Sequence, residues 1–100
     1  MKRIVSTSRS RFIRTDEIEN KIDMIYEAYE EYSDYPWMEE ILIDNNACED
    51  DSKEEGFFST MSNVDVENAF NEIRAKLEKE YSTDGGKNMP TRLIYGFNLS

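Results

Sequence analysis

Apolar residues recur at helical spacing in two long stretches of this chain. Across residues 15–34, Ile18, Ile22, Ile25, Tyr29 and Tyr32 step by four, three, four and three, which lays one greasy stripe along a helix. Across residues 62–81, Val66, Phe70, Ile73, Leu77 and Tyr81 form a second stripe, with Ala69 beside it. Thr15 stands where a side-chain cap is needed, and Asp16 and Glu17 face the positive end of the helix dipole. Ser62 with Asp65, or Asn63 alone, caps the second helix, and Asp84-Gly85-Gly86 ends it. Tyr35-Pro36 ends the first, because the residue before a proline is pushed toward extended backbone.

The remaining apolar runs read as strands. Arg3–Ser6 is one, resuming at Arg11–Ile13 after a polar bend. Ile41-Leu42-Ile43 resembles a buried strand, with a helical turn starting at Pro36 as the alternative. Gly56–Met61 combines aromatic and β-branched residues. Leu93, Tyr95, Phe97 and Leu99 alternate with Arg92, Ile94, Gly96 and Asn98, the period of a strand. Gly96 marks a bulge or a close backbone approach there. The order strand, helix, strand, strand, helix, strand predicts an α+β domain. Two helices would cover one face of a mainly antiparallel four-stranded sheet in ferredoxin-like order. The alternative is a three-stranded sheet with three helices. Trp37 is expected in the core. The chain reads as one domain, 1–100, with a basic N-terminal strand or arm, 1–14, and an acidic loop, 44–55.

Charge adds what periodicity does not show. The net charge is −10 and it is unevenly spread. Residues 1–14 carry +5, residues 15–59 carry −14, residues 60–84 carry −3 and residues 85–100 carry +2. Such a field repels nucleic acid and anionic membrane and attracts basic surfaces. Arg9, Arg11 and Arg14 read either as phosphate contacts or as structural charges, protecting an edge strand or pairing with the acidic helix beside them. Repulsion of nucleic acid by the rest of the chain favours the second.

The missing residues narrow the chemistry. The absence of histidine excludes histidine bases and His-containing zinc sites. Cys48 is the lone cysteine, so the chain has no intrachain disulfide, and a reducing, cytoplasmic setting is expected. Asp44, Asn46, Cys48 and Glu55 fall at calcium-loop positions. Cysteine is a poor calcium ligand, however, and Glu49 stands where glycine is required. Gly56 followed by aromatics resembles the stacking strand of RNA-recognition domains, but Glu55 replaces its basic residue. No cofactor, no metal and no catalytic site are expected, nor any span of the membrane.

The acids of the first helix are dense. Eight carboxylates lie between Asp16 and Asp34, about one per 3.4 Å of helix axis at a rise of about 1.5 Å per residue. One DNA strand carries one phosphate per about 3.4 Å. Only Lys21 offsets the acids, four residues after Glu17. Glu19–Asp23, Asp23–Glu27, Glu27–Glu31 and Glu30–Asp34 are like-charged pairs, each costing about 0.2–0.5 kcal/mol in an isolated helix. A face built only for solubility would mix signs, as Glu72–Lys76 does on the second helix.

In size and charge the chain resembles small inhibitors encoded by phages and mobile elements that act as nucleic-acid mimics, such as anti-CRISPR and anti-restriction proteins. That resemblance implies a basic partner surface on a nucleic-acid-binding protein such as a CRISPR or restriction nuclease. It transfers no residue role. From the residues themselves, the partner-binding candidates are Asp23, Glu27, Glu30, Glu31 and Asp34, with Glu49, Asp50 and Asp51 in the loop and Tyr26 flanking the face. Two other functions fit the sequence. One is a non-catalytic interaction or assembly module whose acidity serves solubility; the other is a small regulator touching nucleic acid through its basic arm.

Overall fold

The computed structural model describes residues 12–48, 56–85 and 89–99, and among them every regular element is helical. Four α-helices run in chain order: α1 (Asp16–Tyr32), α2 (Pro36–Asp44), α3 (Asn63–Asp84) and α4 (Thr91–Gly96). A 3₁₀ turn, Gly56–Thr60, leads into α3. No strand occurs among the described residues, so the expected α+β sheet, in either its four-stranded or its three-stranded form, is not formed. The protein is a small helical bundle. The N-terminal strand predicted at 3–6 lies outside the described residues.

α1 and α3 begin as their sequences predict. The Thr15 hydroxyl accepts from the Ile18 N–H at 3.2 Å. The Ser62 hydroxyl accepts from the Asp65 N–H at 3.1 Å, and the Asp65 carboxylate accepts from the Ser62 N–H at 3.0 Å. That reciprocal box satisfies two donors that no helical carbonyl can reach. At its other end, α3 stops at Gly85, whose φ of 68° suits glycine.

Packing centres on α3. Val66, Ala69, Ile73 and Leu77 are all fully buried at spacings of three and four. α1 lies along this stripe and buries Ile18, Ile25, Ala28 and Tyr32. The expected stripe is therefore rotated slightly. Ile22 and Tyr29 are only partly covered, and Ala28 takes a central place. α2 packs on α3 as well, and α4 packs on α1.

The strand readings failed for separate physical reasons. The alternative of a helical turn beginning at Pro36 holds and the strand at 41–43 does not, because Pro36 ends the first helix and also starts the next one. Its fixed φ suits a first helical turn, and Tyr35 before it is extended at ψ 124°. In α2 the buried residues are Met38, Ile41 and Leu42, one helical face, while Ile43 is 51% exposed. A strand would have hidden Ile41 and Ile43 together. In the 3₁₀ turn, Phe58 is buried and the Met61 N–H donates to its carbonyl at 3.0 Å, so Phe58 and Met61 share the inward side. Near the C-terminus, Leu93 and Phe97 are buried one helical turn apart, whereas Tyr95 is 79% exposed. Alternation was an incidental feature of a short helix. Trp37 sits against the core, half-buried, with the Tyr32 and Tyr35 rings at 5.9 and 5.8 Å from its own.

Both short helices end on asparagine. Asn46 and Asn98 have φ of 70° and 56°. The Ala47 N–H reaches the Leu42 carbonyl at 2.9 Å and the Asn46 N–H reaches that of Ile43 at 3.0 Å. Leu99 and Asn98 repeat the pattern on Ile94 and Tyr95 at 2.9 and 3.2 Å. This is the Schellman arrangement, with asparagine taking the left-handed position usually filled by glycine.

The fold makes two predictions. Phe97→Ala should cost about 3–5 kcal/mol in urea denaturation and Tyr95→Ala less than about 0.5 kcal/mol, whereas a strand would make both costly. Hydrogen bonding, first from the Ser62 N–H and then from Asn46 and the Ser62 hydroxyl, holds the Asp65 carboxyl below its ordinary range against the opposing effect of partial burial. Its contribution to stability is therefore present above about pH 4 and lost as pH falls through the lower folded-state value. Denaturation at pH 6 and pH 3 should show a smaller acid-induced loss in Asp65→Asn than in the wild type.

Candidate interaction face

The side of α1 turned away from α3 carries the acids. Burial of Ile18, Ile25 and Ala28 against the core sends Asp16, Asp23, Glu30 and Glu31 outward, and all four are exposed. Glu27 lies at the junction of α1 and α4, where its carboxylate is ion-paired with the Arg92 guanidinium. Asp34 is exposed but lies beyond the end of α1, in the turn before α2. The supposed Glu30–Asp34 helical pair is therefore not one. Asp23 and Tyr26 are exposed, and neither is free of partners. Glu49, Asp50 and Asp51 fall outside the described residues.

These positions revise the expected row of charges. The even axial spacing assumed all eight carboxylates on one helix with only Lys21 against them. Arg92 now neutralises Glu27, and Asp34 has left the helix. Glu30, Glu31 and Asp34 cluster at the carbonyl end of α1, and among the described residues no cation pairs with any of them. The last turn of α1 holds no basic residue, so the negative pole of the helix dipole and these acids reinforce one another.

The basic residues serve structure more than surface. Lys21 pairs with Glu17 at 3.7 Å, as expected, and with Glu67 of α3 at 3.9 Å, and it stands 5.3 Å over the Phe70 ring. Arg14 is 6% exposed, which removes it as a surface contact for phosphate. It donates to the Asn63 side-chain carbonyl and to the Phe58 backbone carbonyl, each at 2.9 Å. Asn63 in turn donates to the Ile13 carbonyl at 2.9 Å. The segment ahead of α1 is thereby stapled to the start of α3.

Two features of the site escaped sequence reasoning. The strand expected over 92–99 hides the position of Arg92 opposite Glu27. Pro90 just ahead of the segment and Asn98 just after it were the available helix signals. The second feature is the seat of α4 on α1. A Cβ added to Gly96 would collide with the Met24 Cε, so this glycine admits a side chain of α1 against a helix and marks no strand bulge.

Other chemistry is sparse. Among the described residues no group of three or more acids, cysteines or histidines could hold a metal ion. Cys48 is half-buried. No described helix is long and apolar enough to cross a membrane. No protein-family model, curated protein or solved structure matches this chain.

A stability measurement can weigh this arrangement. Glu31 sits one turn after Glu27 in the last turn of α1, where negative charge opposes the dipole. Glu31→Gln should raise stability by about 0.2–0.5 kcal/mol at low salt, and the gain should shrink at about 1 M salt, where the screening length falls to about 3 Å.

Proposed function

We propose that the protein is a small acidic inhibitor that binds the basic groove of a nucleic-acid-binding protein and takes the place of phosphates there. It acts by occupancy and not by catalysis, in the cytoplasm. A target of the CRISPR or restriction nuclease kind fits the charge. The observation that carries the reading is the cluster of Glu30, Glu31 and Asp34, exposed at the negative end of α1 with no cation paired to it among the described residues. A chain that retains like charges there keeps a small destabilisation. A selected use of the potential accounts for that retention, because fields of this kind raise association rates for oppositely charged partners. Asp23, Glu27 and Tyr26 extend the face toward the N-terminus of α1. Glu49, Asp50 and Asp51 complete the proposed set.

A second reading, a non-catalytic interaction module, draws support from the exposed apolar side chains Ile13, Ile43, Val64 and Tyr95. It differs in what salt and charge reversal do. Immobilised wild-type protein should retain nucleic-acid-binding proteins at about 0.15 M salt and release them well below about 1 M, as the screening length shortens from about 8 Å toward about 3 Å. Added duplex DNA should compete. The variant Glu30→Lys, Glu31→Lys, Asp34→Lys should bind such a partner about 10- to 10³-fold more slowly while keeping its helical circular dichroism. Binding that ignores both salt and reversal assigns the acidity to solubility.

A further inference from the structure

We infer that Arg92 is an internal competitor for the acidic face. Its guanidinium occupies Glu27 as an arginine of a partner would, and a basic partner engages the face by exchanging this ion pair for its own. The inference rests on the proposed role of the face and adds to it a regulating residue and a preferred partner group, arginine.

The two members of the pair are held very differently. Glu27 lies at the helix junction with its side chain 27% exposed, whereas Arg92 is 78% exposed. The guanidinium is the more exposed member and can leave into water. An exposed pair of this kind is weak, so exchange is easy. Release of Arg92 would not undock α4. Phe97 stacks on Phe70 at 4.5 Å between ring centres, Leu93 is buried, and Gly96 lies against Met24. Arg74 also clasps the end of α4, donating from Nε to the Phe97 carbonyl at 2.7 Å and from Nη2 to the Asn98 carbonyl at 3.2 Å. The helix carrying Arg92 is thus anchored by other contacts.

The register explains why this one pair matters. Glu27 is one turn from Asp23 and one turn from Glu31. While Arg92 sits on it, Glu27 is withheld from the acids at the carbonyl end of α1. When Arg92 leaves, its carboxylate joins that of Glu31, one turn on. The group that holds Glu27 in the free protein is a guanidinium, whose planar fork of five donors can span neighbouring carboxylates better than a compact ammonium can.

The test uses nona-arginine and nona-lysine as probes, titrated at low salt against the full-length wild type and variants of equal helical content. Arg92→Ala should bind nona-arginine about two- to fivefold more tightly than wild type, the worth of one exposed ion pair, and should gain less for nona-lysine. Lys79→Ala removes the same charge from an exposed position on α3 and should give a smaller gain. On a Glu27→Gln background the effect of Arg92→Ala should vanish. Equal gains from Arg92→Ala and Lys79→Ala, a gain that survives Glu27→Gln, or equal gains for both peptides would overturn the proposal. In those cases weakening of nona-arginine binding by Glu30→Gln, Glu31→Gln would still leave the face itself in use. Absence of any salt-sensitive binding by wild type and Arg92→Ala would overturn both.

Discussion

The contact between the apolar stripe of α3 and the inner side of α1 is the constraint on which the molecule depends. Val66, Ala69, Ile73 and Leu77 present a wall with no exposed member, and Ile25 and Ala28 of α1 are equally hidden. Small residues on both helices, Ala69 and Ala28, allow close approach of the two axes. In a chain of 100 residues with a modest apolar fraction, little other surface is available to hold two long helices together. α2 leans on the same wall through Met38, Ile41 and Leu42. α4 reaches the shared core through Leu93 and Phe97.

The placement of charge follows from that contact. Once Ile18, Ile25, Ala28 and Tyr32 turn inward, the acids of α1 have nowhere to go but outward or to its margins. The margins are treated differently from the centre. Lys21 closes one side by reaching Glu67 on α3, and Arg92 closes the other by reaching Glu27. The carbonyl end of the helix receives no such compensation from the described residues. The same core that stabilises the helix therefore sorts its carboxylates into paired and unpaired groups. Among the described residues, Asp16 and Glu19 have no paired cation at the start of α1, nor do Glu30, Glu31 and Asp34 at the end where the backbone dipole adds to them.

The long helices were legible because several independent signals agreed. Hydrophobic period, a capping residue and a terminating glycine all marked α3, and its reciprocal Ser62–Asp65 box formed as read. The short elements carried signals that two structures satisfy equally well. Ile41-Leu42-Ile43 is apolar enough for a buried strand, and only the placement of Met38 and the outward turn of Ile43 decide for a helix. Leu93, Tyr95, Phe97 and Leu99 alternate as in a strand, but Leu93 and Phe97 are also neighbours on a helix. The decisive marks were punctuation: Pro36 opening α2, and Asn46 and Asn98 closing α2 and α4. The acidic face was legible in composition and approximate position. Its ion pairs were not, because pairing across elements depends on a packing that the wrong fold class could not supply.

Arg14 carries a practical consequence for anyone dissecting this chain. Judged by helix boundaries, the first indispensable residue would be the cap at Thr15. The guanidinium two strides upstream of the first helical turn instead bolts the entry segment to Asn63 and Phe58, forty to fifty positions away. Any shortened fragment must begin early enough to retain Ile13 and Arg14. A cut made at the helix start would take the buried Arg14 donor from the Phe58 carbonyl, which also accepts from the Met61 N–H, and unlatch the mouth of α3.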